Sequence, residues 1–115
     1  MQDTTSYTRG DLVLVGFVFS DESGGKLRPA LVVSSQRYHE ARQEVITAAI
    51  TSNAGRLLFG DRAIGAWREA GLRFPSVVTG IVRTVKASMI HHRLGTLRRE
   101  DLARIDQALR GSLGL

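Results

Sequence analysis

The sequence predicts a mainly β domain of the α+β class, a small curled barrel closed by one amphipathic helix at the C-terminus. Five or six short segments rich in β-branched and aromatic residues are separated by turn-forming residues. Helices do not alternate with these segments, as they would in a parallel α/β fold. Near residue 99 the apolar period changes from two residues to nearly four, which marks a change from strand to helix.

The first predicted strand and the loop after it differ sharply in composition. Residues 12–19 have the sequence LVLVGFVF, a β-branched and aromatic run in which Gly16 indicates a bulge or a tight bend. Residues 20–27 contain serines, acidic residues and two adjacent glycines, and they form too long a connection for a two-residue hairpin turn. We expect this loop to be a flexible flap.

Two further strands are predicted before the middle of the chain. Arg28 and Pro29 precede the second strand, at residues 30–35, because proline is tolerated at the first position of a strand but not within its central ladder. The third strand spans residues 44–51 and ends in the turn-forming sequence SNAG. Between these strands we predict a short helix at residues 36–43, with a plain polar connection as the alternative.

The second half of the chain combines weaker signals with one strong signal. We predict a strand near 61–64, a helical turn around 67–70, and two further strands at 76–85 and 89–94. The segment 99–112 is an amphipathic helix, with acidic residues in its first turn and glycines near its end. Its apolar stripe consists of Leu102, Ile105, Leu109 and Leu113.

Size and composition indicate one folded domain. We assign residues 1–9 to a short N-terminal tail and residues 10–115 to a single barrel domain, since 115 residues suffice for one core but not for two. The chain contains no cysteine, which excludes disulfides, thiolate zinc sites and cysteine nucleophiles. The apolar runs are far shorter than the roughly 20 residues of a membrane span, and no secretory signal pattern is present, so we expect a cytoplasmic protein.

The charge balance points towards a polyanionic partner. The net charge is +5, and all but two of the 16 basic residues are arginine, the side chain suited to bidentate phosphate contacts. Solubility alone would explain a charge of this size on a small domain, and arginine excess also follows from genomic base composition. Charge therefore keeps nucleic acid open as a partner without selecting it.

Most residues that could carry chemistry have simpler explanations. His91 and His92 are adjacent, so on a strand they point to opposite faces and cannot bind one metal ion together. His39 has no ligand partner nearby in sequence, and we expect all three histidines at surface or groove positions. Asp11 suits the start of a strand, and Asp21 suits a turn. Trp67 and Phe74 suit the core or an interface.

Arg28 and Thr51 are more informative as a pair than alone. An arginine before proline is usually solvated, and a threonine at a strand end usually serves the turn. If the second and third strands are antiparallel neighbours, however, the start of one lies beside the end of the other, at one rim of the barrel under the flap. A guanidinium and a hydroxyl that face one cleft can bind and stabilise a phosphate.

Five segments occur together in an order and spacing that a known family shares. They are GDLVLVGFVFSDESGGKLRPALVVSS from Gly10, AITSN from Ala49, WREAGLRFPSVV from Trp67, RLGTL from Arg93 and EDLARIDQALRGSLGL from Glu100. In this arrangement the chain resembles the MazF/PemK family of toxin ribonucleases from bacterial type II toxin–antitoxin systems. The likeness extends from Gly10 to Leu115 and is more specific than any single motif.

The resemblance implies an SH3-like barrel with added helices that acts as a homodimer. It implies a cofactor-free, metal-independent endoribonuclease that cleaves single-stranded RNA, often messenger RNA, at short sequence motifs and so inhibits translation and growth. The arginine of the R-P-A motif and the threonine of the I-T-S segment are the catalytic pair of such enzymes, which here are Arg28 and Thr51. The flap at residues 20–27 would cover the site, and a cognate antitoxin would occupy the same groove.

The implied reaction uses the nucleophile that RNA itself carries. The 2′-OH beside the scissile phosphate attacks phosphorus, and the products are a 2′,3′-cyclic phosphate and a 5′-hydroxyl. Arg28 would stabilise the added negative charge, while Thr51 would donate to a non-bridging oxygen or orient the 2′-OH. Because arginine is a poor proton acceptor, the base is left as water, the phosphate itself or a nearby histidine. Further substrate contacts are predicted at Phe17, Lys26, Ser52, Asn53 and Ser76.

Two other functions stay open at this point. A CcdB-like toxin shares the barrel and the dimer but inhibits gyrase through its C-terminal helix, and the presence of Arg28 and Thr51 in their motifs argues against it. A basic barrel of this size would also serve as a module that binds nucleic acid or a peptide without chemistry.

Overall fold

The fold is an antiparallel six-stranded sheet with two helices. A computed structural model describes residues 6–18 and 25–115, without the side chains of residues 17, 18 and 25. In chain order the elements are β1 (Asp11–Val18), β2 (Gly25–Val32), α1 (Gln36–Arg42), β3 (Glu44–Thr51), β4 (Arg62–Ala63), β5 (Val77–Lys86), a 3-10 turn (Ala87–Met89), β6 (Ile90–Thr96) and α2 (Arg99–Leu113). The strand order in the sheet is β4-β5-β3-β2-β1-β6. The predicted mainly β fold with a C-terminal helix is confirmed.

Hydrophobic residues pack against both faces of the sheet, because successive side chains of a strand point to opposite sides. In β1, Leu12 joins one cluster and Val13 the other. The first cluster includes Leu31, the partner of Leu12 in β2, together with the α2 residues Ile105 and Leu109. The second cluster consists mainly of small β-branched residues, namely Val13, Val15, Ala30, Val32, Val45, Val85 and Ile90.

Two glycines bring the connection between β4 and β5 against β6 at the far edge of the sheet. A Cβ added to Gly71, which has φ +93°, would overlap the carbonyl of Leu94, and a Cβ added to Gly95 would overlap the carbonyl of Ala70. Only glycine permits two backbones to approach so closely. This contact curls the sheet and places the segment that leads into β5 beside β6.

The C-terminal helix α2 follows the predicted stripe along most of its length. Ile105 and Leu109 are buried, but Leu113 is 56% exposed, so the last member of the predicted stripe is not a core residue. Gly114 ends the helix in the left-handed conformation. Neither α2 nor any other helix in the described part of the chain has the length and apolar character needed to cross a membrane.

Buried and half-buried charges tie α2 to the rest of the domain. The carboxylate of Asp101 is buried and accepts hydrogen bonds from the backbone N–H groups of Gly65 and Ala66, at 3.1 and 3.0 Å. Arg9, at the end of the predicted tail, forms an ion pair with Asp106 and donates from Nε to a backbone carbonyl at 3.0 Å. Both ends of the described chain are thus fixed to the same core.

The second strand differs from the prediction at both of its ends. β2 runs from Gly25 to Val32, so Arg28 and Pro29 lie inside the strand and not before it. Residues 25–29 pair with β1 alone, since pairing with β3 begins only at Ala30. A residue without an N–H group fits where the strand has a single neighbour, and the proline was therefore a poor marker of the strand start.

Candidate active site

A groove of about 860 Å³ lies across β1, β2, β3, β5 and β6. Its floor is largely apolar, while its walls carry hydroxyl groups, three guanidinium groups and one imidazole. The polar and charged residues that line it are Arg28, Thr47, Thr51, Ser52, Arg73, Ser76, Arg83 and His92. The groove therefore has the electrostatic character of a site for a phosphate-bearing ligand.

The groove brings Arg28 and Thr51 together, and the strand pairing explains why. β2 and β3 are antiparallel neighbours, as the sequence predicted, with Ala30 opposite Ala49. Side chains two positions apart on a strand share a face, so Arg28 follows Ala30 and Thr51 follows Ala49 on the same side of the sheet. Both residues line the groove, whereas their catalytic roles stay a prediction.

The hydroxyl of Thr51 is held in a defined orientation by its own turn. Its Oγ1 accepts a hydrogen bond from the backbone N–H of Asn53 at 3.1 Å. This contact occupies a lone pair of the oxygen and leaves the hydroxyl hydrogen available for donation. Thr51 is thus prepared to donate to an oxygen of a ligand in the groove.

The guanidinium group of Arg28 lines the groove. The side chain is exposed, and within residues 6–18 and 25–115 we find no hydrogen bond or ion pair to its guanidinium group. Its donors can therefore all turn towards a ligand. The arginines that pair with carboxylates elsewhere are Arg9, Arg42, Arg93, Arg98 and Arg104.

The structure places the other predicted substrate contacts in different surroundings. Ser52 and Ser76 line the groove, but Lys26 and Asn53 are not among the described residues that do so. Ser76 donates its hydroxyl hydrogen to the carbonyl of Phe74 at 2.8 Å, which leaves only its lone pairs for a ligand. The side chain of Phe17 and residues 20–24 of the predicted flap lie outside the described residues.

Four groove residues were not chosen as site residues from the sequence. Arg73 and Phe74 precede β5, Arg83 lies on β5, and His92 lies on β6. Phe74 is 64% exposed, so it is not a core aromatic. No local pattern signals these positions, because the contact of two distant glycine backbones brings the segment before β5 beside β6.

Other candidate acids and histidines have structural roles. Asp11 is 4% exposed, forms an ion pair with Nε of Arg93 at 3.1 Å and accepts from Thr96 Oγ1 at 3.0 Å. His39 is buried, with Nε2 2.5 Å from Ser34 Oγ and Nδ1 3.1 Å from the Tyr7 carbonyl oxygen. The expectation of a surface or groove position is therefore wrong for His39. No group of three or more metal-ligating side chains occurs in the part of the chain that the structure describes.

The sequence of the chain matches a known protein family over most of its length. Residues 8–113 match the family model described as "PemK-like, MazF-like toxin of type II toxin-antitoxin system". The chain belongs to this family. No curated protein sequence matches the toxin.

Solved structures share the fold over nearly the whole toxin. A MazE–MazF crystal structure (Form III) from Deinococcus radiodurans has a TM-score of 0.77 and 25% identity, and the match covers 95% of the toxin and 97% of that chain. An endoribonuclease in complex with its cognate antitoxin, from a mycobacterial species, has a TM-score of 0.75 and 20% identity, covering 95% and 96%. The Mycobacterium tuberculosis toxin MazF-mt6 has a TM-score of 0.70 and 20% identity, covering 90% and 97%.

Proposed function

We propose that this toxin is a metal-independent, sequence-specific endoribonuclease that cleaves single-stranded RNA, messenger RNA included, and so inhibits translation and growth in the cytoplasm. The observation that carries the proposal is the pairing of Arg28 with Thr51 in one groove, the first with its donors open and the second with its hydroxyl hydrogen open. Membership of the family and the endoribonuclease activity of structural relatives support the same chemistry.

The two side chains fit the charge changes of the reaction. When the 2′-OH attacks the neighbouring phosphorus, the phosphorane gains negative charge on its non-bridging oxygens. The guanidinium of Arg28 presents a planar set of donors to those oxygens, and Thr51 adds a hydroxyl donor from the adjacent strand. The bond from phosphorus to the 5′ oxygen then breaks, which leaves a 2′,3′-cyclic phosphate and a 5′-hydroxyl.

The rest of the groove would hold the nucleotides beside the cleaved bond. Arg73 and Arg83 offer positive charge to flanking phosphates, and the exposed ring of Phe74 offers a surface for base stacking. Ser52 and Ser76 stay proposed contacts at the groove wall. Asn53 would act through Thr51, because its backbone N–H fixes the threonine hydroxyl.

A second copy of the chain and a cognate antitoxin are the proposed protein partners. Phe59 lies close to Gly111 of α2, and Ser112 of α2 lies close to Gly80 of β5, so the segment before β4, α2 and β5 adjoin one another. The exposed apolar residues of these three segments form a proposed surface that we call the apolar face; it consists of Leu57, Leu58, Phe59, Val82, Leu113 and Leu115. A contiguous exposed apolar patch of this kind is typical of a protein interface.

The dimer proposal is tested by sedimentation equilibrium. Phe59, 87% exposed, is the most exposed member of the apolar face, and Phe59→Asp should shift the protein towards a monomer. Leu27→Asp is a matched control, since Leu27 is exposed but lies outside the apolar face. A monomeric wild-type protein, or equal effects of both variants, would contradict the assignment.

RNA cleavage is tested with purified toxin and labelled single-stranded RNA in the presence of EDTA. We expect cleavage fragments with 5′-hydroxyl ends, and no cleavage when the sugar at the cut site carries a 2′-O-methyl group. Cleavage should be lost in Arg28→Ala and kept in Arg37→Ala, which removes an exposed arginine outside the groove. Binding without cleavage would favour a non-catalytic module, and gyrase inhibition without RNA cleavage would favour a CcdB-like toxin.

A further inference from the structure

We propose that His92 is the general base of RNA cleavage, the group that takes the proton from the attacking 2′-OH. The proposal rests on the proposed ribonuclease function and assigns a step that Arg28 and Thr51 do not perform. A protonated guanidinium supplies charge and hydrogen bonds but has no site to accept a proton. A residue of the groove with an available acceptor nitrogen would complete the site.

The described residues that line the groove include no carboxylate, so the candidates for a proton acceptor are few. The groove hydroxyls are poor bases, and two of them are already engaged: Thr47 donates to the Arg83 carbonyl at 3.0 Å, and Ser76 donates to the Phe74 carbonyl. An imidazole is the side chain that ordinarily changes charge between about pH 5 and 8. His92 supplies the imidazole among these lining residues.

His92 lines the same groove as Arg28 and Thr51. His92 pairs with Leu14 of β1, and Leu14 pairs with Pro29 of β2, so His92 shares a sheet face with two other lining residues, whereas Arg28 pairs with Val15. The backbones of β6 and β2 are thus two strand spacings apart, about 10 Å.

Charged groups from several elements surround this position. Arg28 from β2, Arg73 from the segment before β5 and Arg83 from β5 share the groove with His92, while the facing β1 residue is the apolar Leu14. On β6 itself, Arg93 is paired with the buried carboxylate of β1. The neighbouring His91 is not a lining residue of the groove, but its Nε2 would lie 3.0 Å from a Cβ at Gly16, which shares a face of β1 with Leu14. The register shift between Leu14 and Val15 thus puts both histidines on one side of the strand, and the prediction of opposite faces is wrong.

The bonds and protons of the proposed cleavage step balance. Neutral His92 takes the 2′-OH proton while the bond from the 2′ oxygen to phosphorus forms and the bond from phosphorus to the 5′ oxygen breaks. The departing 5′ oxygen takes a proton from water, and the imidazolium returns its proton to the resulting hydroxide. RNA is therefore converted to a 2′,3′-cyclic phosphate and a 5′-hydroxyl without a net change in protons.

The first test compares His92→Gln with the matched control His91→Gln under single-turnover conditions, with one defined single-stranded RNA that the wild type cuts. We expect His92→Gln to lower the cleavage rate by about 10²–10⁴-fold. Binding of the same RNA with a 2′-O-methyl group at the cut site should be unchanged in both variants. His91→Gln should keep the wild-type rate.

The second test is chemical rescue of His92→Ala by free imidazole. We expect the rate to rise with the concentration of neutral imidazole, which a purely structural role of His92 would not produce. A wild-type rate in His92→Gln would overturn the proposal, as would a slow His92→Ala that imidazole does not rescue. If the wild type does not cleave RNA, the ribonuclease proposal fails; if the wild type cleaves and Arg28→Ala does not, but His92→Gln cleaves normally, the inference about His92 alone fails.

Discussion

Two polar residues near opposite ends of β1, one in the strand and one on the neighbouring strand β2, have different environments. At the start of the strand, Asp11 is buried and receives hydrogen bonds from Thr96 and the Thr8 backbone as well as an ion pair from Arg93. Towards the other end, Val15 of β1 pairs with the exposed Arg28 of β2, and no described residue binds the guanidinium of Arg28.

This difference separates polar groups that stabilise the fold from those that serve a ligand. In the described part of the chain, no buried side-chain nitrogen or oxygen lacks a hydrogen-bond partner. Arg28 lines the groove with an exposed side chain, whereas Asp11 lies outside the groove. Exposed arginines such as Arg37 also lie outside it, so the position in the groove, and not exposure or charge alone, marks Arg28 as a candidate.

The comparison predicts its largest effect for Arg28→Ala, on activity and not on stability. Loss of a donor that stabilises developing charge should lower the rate constant for RNA cleavage by about 10²–10³-fold. The free energy of unfolding should stay within about 0.5 kcal/mol of the wild type, because the Arg28 guanidinium forms no hydrogen bond or ion pair with the described residues. Single-turnover cleavage and urea unfolding measure the two quantities. Comparable losses in Arg37→Ala would show that net charge, and not position, is responsible.

The reverse result is expected for Asp11→Asn. An amide nitrogen would face the donors of Arg93 or of the Thr8 backbone, and one buried hydrogen bond to a charged group would be lost. We expect the free energy of unfolding to fall by about 1.5–3 kcal/mol, with cleavage per folded molecule unchanged. The exposed α1 variant Glu40→Gln is the control and should match the wild type in urea unfolding. A lower cleavage rate per folded molecule of Asp11→Asn would contradict the assignment of Asp11 to stability and of Arg28 to activity.

A smaller effect is expected for Phe74, which tests whether the exposed ring belongs to the ligand. Phe74→Ala should weaken binding of single-stranded RNA by about 1–3 kcal/mol, the contribution of one stacked base. Phe74→Tyr keeps the aromatic face and should bind as the wild type does. Fluorescence anisotropy with RNA that carries a 2′-O-methyl group at the cut site measures both. Equal affinity of all three proteins would remove Phe74 from the proposed RNA path.

The smallest effect is expected for Arg98→Ala, which separates pairing from burial. Arg98 Nε lies 2.7 Å from Glu69, but both side chains are more than half exposed. An exposed ion pair contributes about 0.2–1 kcal/mol, so urea unfolding should change little and RNA cleavage not at all. A larger loss of stability would mean that pairing without burial also stabilises this fold.

Local pattern and strand register were enough to predict much of the fold and the central pair of the site. The strand Glu44–Thr51 has the predicted bounds, and its antiparallel neighbour places Arg28 beside Thr51 because register follows from alternation. The short helix predicted at residues 36–43 is confirmed as the helix Gln36–Arg42.

The remaining features depend on contacts between distant segments. The approach of Gly71 to Gly95 brings Phe74 and His92 into one groove, and neither glycine differs in sequence from an ordinary turn glycine. His39 is buried by the N-terminal segment, 32 positions away along the chain, which no periodicity reveals. These are long-range effects, and a pattern of neighbouring residues carries no information about them.

The close backbone contact of Gly71 with Leu94 and Gly95 lies beside the groove, since Gly71 and Leu94 line it. Backbone meets backbone there with no side chain between, so the spacing of the two backbones does not depend on any rotamer. Side chains that line the groove can therefore be replaced by others of different size and charge while this backbone contact stays the same. The lining of the groove can thus vary in sequence while this part of its backbone frame stays unchanged.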